Sequence, residues 1–404
     1  MLFALFLVSS CAQIDRILPF ILAESIKAEL SLSDTEIGLI TGVAFAICYT
    51  SLSLPLARAS DSGSPRFVLV GCMLVWSAMT ALGGLATGFL FLALTRFGVA
   101  VGEAGTVPAG NALIARKIAP ERRGLAIGIF SMGIPLGTMA GFAIGGAVND
   151  ALGWRVALVG AGAAGGLVAL FAWLAAGPTP PVRRAAVSAG SFLRSSLDLL
   201  MAPQFRWLFV AAVTAGFAAA PFYAFAPPFL IRTYGYTAAE AGLAFGLLQG
   251  VLGIAGTLLG GRGFDRAVRA GRGGLLRPPA IVFLVAAATT TAALFASTGW
   301  MAVALMVPGM FSFAYMLPWA FGTAHRVAGE GREGMASSLG MIGSSLLGPA
   351  FGPLFVGLVS DAATGAGIAN GLALGLLIVP VASVLTGIVY LVADRRLAVT
   401  PAQG

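Results

Sequence analysis

Residues 36–61 read EIGLITGVAFAICYTSLSLPLARASD, and residues 240–265 read EAGLAFGLLQGVLGIAGTLLGGRGFD. Glu36, Gly38, Leu39, Arg58 and Asp61 return as Glu240, Gly242, Leu243, Arg262 and Asp265, each at an offset of 204 residues with no gap. A second echo pairs Gly124 and Ala126 with Gly334 and Ala336 at an offset of 210. Self-similarity at a fixed long period marks a duplicated structural unit. Each copy is uncharged from its glutamate to its arginine, about the 20 residues that a helix needs to cross the hydrocarbon core of a bilayer.

Outward from those two stretches the rest of the chain has the same texture. It is 58% hydrophobic and only 10% charged, against about 25% charged residues in an ordinary soluble domain. Apolar runs of membrane-spanning length are expected at 2–26, 34–56, 66–88, 90–115, 124–148, 153–176, 207–231, 238–260, 278–297, 300–324, 334–359 and 366–392. The joins near Gly88 and Gly299 are expected to be the tightest. The fold class is therefore an all-α integral membrane protein of twelve transmembrane helices in two six-helix bundles: residues 1–176, a cytoplasmic linker at 177–206 carrying Pro178, Pro180, Pro181, Arg183 and Arg184, and residues 207–404.

Charge orients the chain. Nineteen of its 24 lysines and arginines, among them Arg58, Arg66, Arg116, Lys117, Arg122 and Arg123, fall in the loops after even-numbered helices or at the C-terminus. Basic residues gather on the cytoplasmic side of multi-pass proteins, so both termini are expected in the cytoplasm of an inner-membrane protein. The net charge of +8 then describes a rim facing anionic headgroups, and no compact basic domain presents itself to nucleic acid. Cys11, Cys48 and Cys72 lie in apolar segments and read as small buried hydrophobes, with no metal-ligand spacing and no cofactor motif. The opening MLFALFLVSSC lacks the basic start of a signal peptide and its apolar run continues past Cys11, so it reads as the first helix.

Two parallel repeats of six helices match the major facilitator arrangement, in which a central cavity lies between the halves. The stretches PLARASDSGSPR and GGRGFDRAVR resemble that superfamily's cytoplasmic motif of glycine, three residues, aspartate and basic positions. The first copy departs from it at Ala57, Ser62 and Pro65; the second keeps Gly261, Asp265 and Arg266. The resemblance implies a cytoplasmic gate built from Arg58, Asp61, Arg66, Asp265 and Arg266. Within the superfamily, Asp15-Arg16 in the first helix together with LTRFGVAVGEAG in the fourth resembles the spinster family of proton-linked lipid transporters. That resemblance implies movement of an amphiphile such as a lysophospholipid or a sphingoid phosphate, with Asp15 and Glu103 in proton coupling.

The residues point to a coupling site without the family. An ionised side chain at bilayer depth costs on the order of 3 kcal/mol, so such residues face partners or water inside a bundle. Asp15 stands about 21 Å along its helix, and Arg96 and Glu103 share a face of the fourth helix about 10 Å apart along its axis. Asp15 and Glu103 are expected to carry the proton, Arg96 to complete the charge network, and Arg16 to alternate between these acids and an anionic headgroup. A static set of ion pairs tying the first helix to the fourth is the structural alternative.

The second half offers aromatics instead of charges. Tyr223, Phe225, Phe313, Tyr315 and Trp319 are expected to bind the apolar part of the substrate, and Pro221, Pro227 and Pro228 to break or bend the seventh helix. His325, the only histidine, reads as structural. No nucleophile, metal set or interfacial acid–base pair supports an enzyme, and two repeats around buried charges suit alternating access better than a channel. The expected partners are protons, a small amphiphile and membrane lipids, with nothing requiring more than a monomer. An antiporter of drugs or small organic anions stays open as the second reading.

Overall fold

Twelve helices long and apolar enough to cross a membrane succeed one another in the computed structural model, which describes residues 1–119, 122–178, 189–271, 273–329 and 332–398. They are α1 (Leu2–Ile21), α2 (Asp34–Ser53), α3 (Pro65–Gly83), α4 (Phe89–Lys117), α5 (Arg123–Leu152), α6 (Trp154–Ala176), α7 (Pro203–Tyr234), α8 (Ala238–Arg269), α9 (Arg277–Leu294), α10 (Gly299–Ala328), α11 (Met335–Gly365) and α12 (Gly371–Leu397). All twelve expected spans are present, and no strand occurs among the described residues. Pro180, Pro181, Arg183 and Arg184 of the expected linker lie outside the described residues.

Prolines account for interruptions inside several spans. A proline donates no N–H to the carbonyl four residues earlier and its ring crowds that carbonyl. The helix of α4 is interrupted at Ala104–Gly105, just before Pro108; that of α5 at Met132, before Pro135; that of α12 at Leu377, before Pro380. The first helix ends at Ile21 instead of 26, and a separate short helix, Ala23–Leu30, follows. By contrast α7 runs unbroken through Pro221, Pro227 and Pro228, so of the expected break or bend there is no break. Carbonyls freed by proline are tolerated in a bundle where neighbouring side chains or helices can meet them. The helix of α2 continues to Ser62 and α8 to Arg269, so both copies of the expected loop motif sit on helix ends. Among the described residues the tightest join lies between α5 and α6, where Gly153 alone separates Leu152 from Trp154, and not near Gly88 or Gly299 as expected. The φ of 86° at Gly153 is a left-handed conformation that glycine adopts without strain.

The duplication seen in the sequence returns as hydrogen bonding. The Ser33 hydroxyl accepts from Glu36 N at 3.1 Å while Ser33 N donates to Glu36 Oε2 at 2.8 Å. Thr237 and Glu240 repeat this reciprocal cap at 3.1 and 2.9 Å. Both opening turns are thus closed by the same two-residue device.

Contacts divide the chain into two compact units, Met1–Ala185 with Pro227–Gly250, and Ala186–Ala226 with Val251–Gly404. This division differs from the repeat, because the end of α7 and the start of α8 pack into the first unit. In that unit glycines set the helix spacing. Gly133, Gly137, Gly141 and Gly145 line one face of α5 against α1, and a Cβ on Gly137 would stand 2.5 Å from the Ser10 carbonyl. Close backbone approach through small residues is the usual way helices associate in lipid. The same holds where α5 crosses α8: a Cβ on Gly242 would fall 2.1 Å from Phe142 O, and one on Gly146 2.2 Å from Ala238 O. Gly242→Val is expected to destabilise the protein by about 2–3 kcal/mol through this overpacking. Gly253→Val, on the same helix with open space around it, is expected to leave the thermal midpoint in detergent unchanged.

Candidate transport site

The packing of α1, α3 and α4 in the first unit brings four charged residues of the sequence together. Asp15, Arg96 and Glu103 are 2%, 4% and 2% exposed. Arg16 Nη2 donates to Glu103 Oε2 at 2.8 Å and Nε to the same oxygen at 3.2 Å, and its guanidinium lies 5.2 Å from the centre of the Tyr49 ring. The two partners differ in access, with the Glu103 side chain 1% exposed and that of Arg16 38%. Gly102 permits this placement of Glu103, since a Cβ there would meet Cys72 O of α3 at 2.6 Å.

Arg96 is fixed by a backbone defect. Pro19 cannot donate to the carbonyl of Asp15, four residues back, and Arg96 Nη2 donates to that oxygen at 3.0 Å. The charged side chain therefore fills the place of a missing helix hydrogen bond. The proline four residues after Asp15 was a legible signal for this contact, and the reading of charges alone passed over it. Arg96→Met is expected to cost about 1–3 kcal/mol by orphaning the buried carbonyl. Pro19→Ala in addition restores an N–H donor and should recover much of that loss in chemical denaturation, whereas two independent sites would add.

The Asp15 carboxyl itself makes no ion pair within 4 Å among the described residues. Its neighbours are Trp76 and Thr80 of α3 and Arg96 and Glu103 of α4. Arg96 Nη1 and Glu103 Oε1 are buried without a hydrogen-bond partner among the described residues.

A second charged cluster was not anticipated. Arg232, near the end of α7, donates from Nη2 to Glu24 Oε1 at 2.6 Å and from Nη1 to Asp34 Oδ2 at 2.8 Å, and Lys27 Nζ lies 2.5 Å from Asp34 Oδ1. Asp150 Oδ2 accepts from Ala239 N at 2.7 Å, at the first turn of α8. These contacts attach Pro227–Gly250 to the first unit. Nearby, Arg155 Nε and Trp154 Nε1 donate to Glu29 at 2.8 and 2.6 Å and hold its carboxyl below the usual glutamate range. That tie is in place at neutral pH and is lost only as acid protonates Glu29.

Of the expected gate residues, Arg58 and Asp61 stand at the end of the α2 helix, Arg66 at the start of α3, and Asp265 and Arg266 near the end of α8. Arg66 donates to Trp173 O at 3.0 and 2.7 Å and stacks 3.5 Å from the centre of that ring, which anchors it to α6. Arg58, Asp265 and Arg266 are exposed, and the side chain of Asp61 lies outside the described ones. Arg116, which the motif reading had not assigned to the gate, donates to Ser60 O at 2.8 Å and Gly63 O at 2.9 Å and so closes the end of the α2 helix.

In the second unit four of the five expected aromatics fall into two ring clusters. Phe313 packs on Phe222, Tyr223 and Phe283 with centroids 5.7, 5.9 and 6.1 Å away. Tyr315 stacks on Phe311 at 5.2 Å, and Trp319 meets Tyr315 and Phe264 at 6.1 and 5.7 Å. Tyr223 and Tyr315 are half-buried, while Phe225, Phe313 and Trp319 are buried in the unit. His325 pairs with the Ser337 hydroxyl at 2.6 Å.

Twelve helices, a duplicated opening turn and a buried charge centre between the first, third and fourth helices are those of a secondary transporter. The sequence pattern of the Major Facilitator Superfamily matches residues 2–353, and the chain belongs to that superfamily. Within it the chain is spinster-like: a crystal structure of a bacterial homolog of the human lysosomal transporter spinster, inward-facing and occupied, superposes with a TM-score of 0.87 at 27% identity, covering 99% of this chain and 98% of that one. An MFS-type efflux pump of Mycolicibacterium smegmatis is 34% identical over 394 residues, 96% of this chain and 91% of the relative. The sphingosine-1-phosphate transporter SPNS2 of Danio rerio is 25% identical over 261 residues, 58% of this chain and 50% of its own length. The protein is a multi-pass membrane transporter and not an enzyme.

Proposed function

We propose that the protein is a proton-coupled transporter of an amphiphile with an anionic headgroup, working by alternating access with both termini in the cytoplasm. The observation that carries this reading is the unequal pair of Arg16 and Glu103: the carboxylate is sealed at 1% exposure and the guanidinium remains 38% accessible. An anionic headgroup can compete for Arg16, and Glu103, losing its cation, takes up a proton in exchange. Asp15 is the second proton carrier, and Arg96 holds the two acids in register from the Asp15 carbonyl. Tyr223, Phe225, Phe313, Tyr315 and Trp319 select the apolar part of the substrate, and Arg58, Asp61, Arg66, Asp265 and Arg266 belong to the cytoplasmic gate. One chain suffices for this cycle. The spinster relatives support a lipid-like cargo. The efflux-pump relative favours a second reading, export of drugs or small organic anions against protons.

Lipid mass spectrometry on the purified protein, followed by uptake into proteoliposomes under a pH gradient, separates the two. Co-purifying lysophospholipid or sphingoid phosphate that disappears in Arg16→Ala supports the lipid reading. No bound amphiphile, together with gradient-driven movement of a hydrophilic anion, overturns it in favour of the antiporter.

A further inference from the structure

Arg16 meets two partners of different chemistry on two other helices. Glu103 of α4 takes Nε and Nη2 on a single oxygen. Tyr49 of α2 offers its ring, 5.2 Å from the guanidinium, and its hydroxyl, which accepts from Arg16. An arginine can only donate, so the direction of that bond is fixed. The carboxylate answers both the geometry and the charge of the guanidinium, whereas the tyrosine answers its geometry and leaves the charge. The two also differ in access: Glu103 is sealed at 1% exposure, while Tyr49 is half-buried beside the 38% exposed side chain of Arg16.

The shape of α2 accounts for this contact. Leu39–Val43 form a π-helical turn, which holds an extra residue and occurs frequently at functional sites. One extra residue displaces everything after it by about 100° around the axis relative to an unbroken α-helix. In that register Tyr49, six residues beyond Val43, meets α1. Other hydroxyls of α2 stay on their own helix, Thr41 donating to Ile37 O at 2.8 Å and Ser51 to Ile47 O at 2.7 Å. Tyr49 reaches across to a different one.

We propose that Tyr49 is the positioning residue of the headgroup site: it keeps the Arg16 guanidinium oriented for an anion once Glu103 lets go. The inference rests on the reading of Arg16 as the group that binds the headgroup. Without the hydroxyl the released side chain is left to sample rotamers, and the headgroup has to order it on binding, which lowers affinity. With it, Arg16 stays in place and keeps its full charge for the incoming anion.

Calorimetry on the purified protein tests this with two probes of equal chain length, an anionic lysophospholipid and a neutral monoacylglycerol. Tyr49→Phe keeps the ring beside Arg16 and removes only the hydroxyl. It is expected to weaken binding of the anionic probe roughly ten-fold, the scale of one charge-assisted hydrogen bond, and to leave the neutral probe within about two-fold. Unchanged anionic affinity overturns the proposal, and so does an equal loss for both probes, which is what lost packing would give. In an Arg16→Ala background Tyr49→Phe is expected to have no further effect on the anionic probe, because the hydroxyl acts through Arg16. Additive losses overturn that role. Wild type that does not bind the anionic probe, or Arg16→Ala that binds it as tightly as wild type, overturns the headgroup reading together with this one. Loss in Arg16→Ala but not in Tyr49→Phe overturns this inference alone.

Discussion

Arg16→Ala is expected to destabilise the protein by about 2–4 kcal/mol and to weaken binding of the anionic substrate by about 10–100-fold. The stability loss arises because Glu103, sealed in the first unit, is left as a buried carboxylate without its cation. Breaking a fully buried pair costs about 3–5 kcal/mol, and the estimate is reduced because Arg16 is 38% exposed and screened accordingly. The binding loss is that of charge-assisted hydrogen bonds to one guanidinium, worth about 1.5–3 kcal/mol. Adding Glu103→Gln separates the two effects. A neutral amide tolerates burial, so the double variant should regain most of the stability, read as a thermal midpoint in detergent, but none of the binding, read by calorimetry with an anionic lysophospholipid. Recovery of both would show that Arg16 serves only to hold helices together.

Asp15→Asn is expected to reduce uptake driven by a pH gradient to the level of empty liposomes while substrate counterflow persists within about two-fold, since exchange needs no net proton transfer. The amide keeps the size of the carboxyl and leaves the Asp15 carbonyl, and hence the anchor for Arg96, untouched. The variant should therefore fold. Glu103→Gln is expected to behave alike for uptake and to loosen the hold on Arg16. If both variants retain full pH-driven uptake, neither residue carries the proton.

Much of the site was legible in the sequence because charge in an apolar run is costly enough to be conspicuous. Asp15, Arg16, Arg96 and Glu103 stood out for that reason, and the structure gathers them. Their partners were less legible. Trp76 and Thr80 are ordinary residues in an apolar helix, and nothing in their spacing sets them apart from packing. Helical spacing suggested that Arg96 and Glu103 act on one face, but it could not show Arg96 reaching for a carbonyl. The Arg232 cluster was missed because its members, Glu24, Lys27, Asp34 and Arg232, look like solvated charges at span ends, separated by up to 208 residues.

The amino-acid sequence by itself determined the class of fold, the twelve spans, the duplication and the identity of the buried charges. Each of these follows from local hydrophobicity or from a fixed offset, both of which survive without knowledge of contacts. Only the tertiary structure decided that Glu103 pairs with Arg16, that Arg96 takes the carbonyl left open by Pro19, and that Pro227–Gly250 packs with the first unit. Those outcomes depend on which helices approach closely enough for glycine faces to mesh, and that approach brings together residues whose order in the chain carries no trace of it.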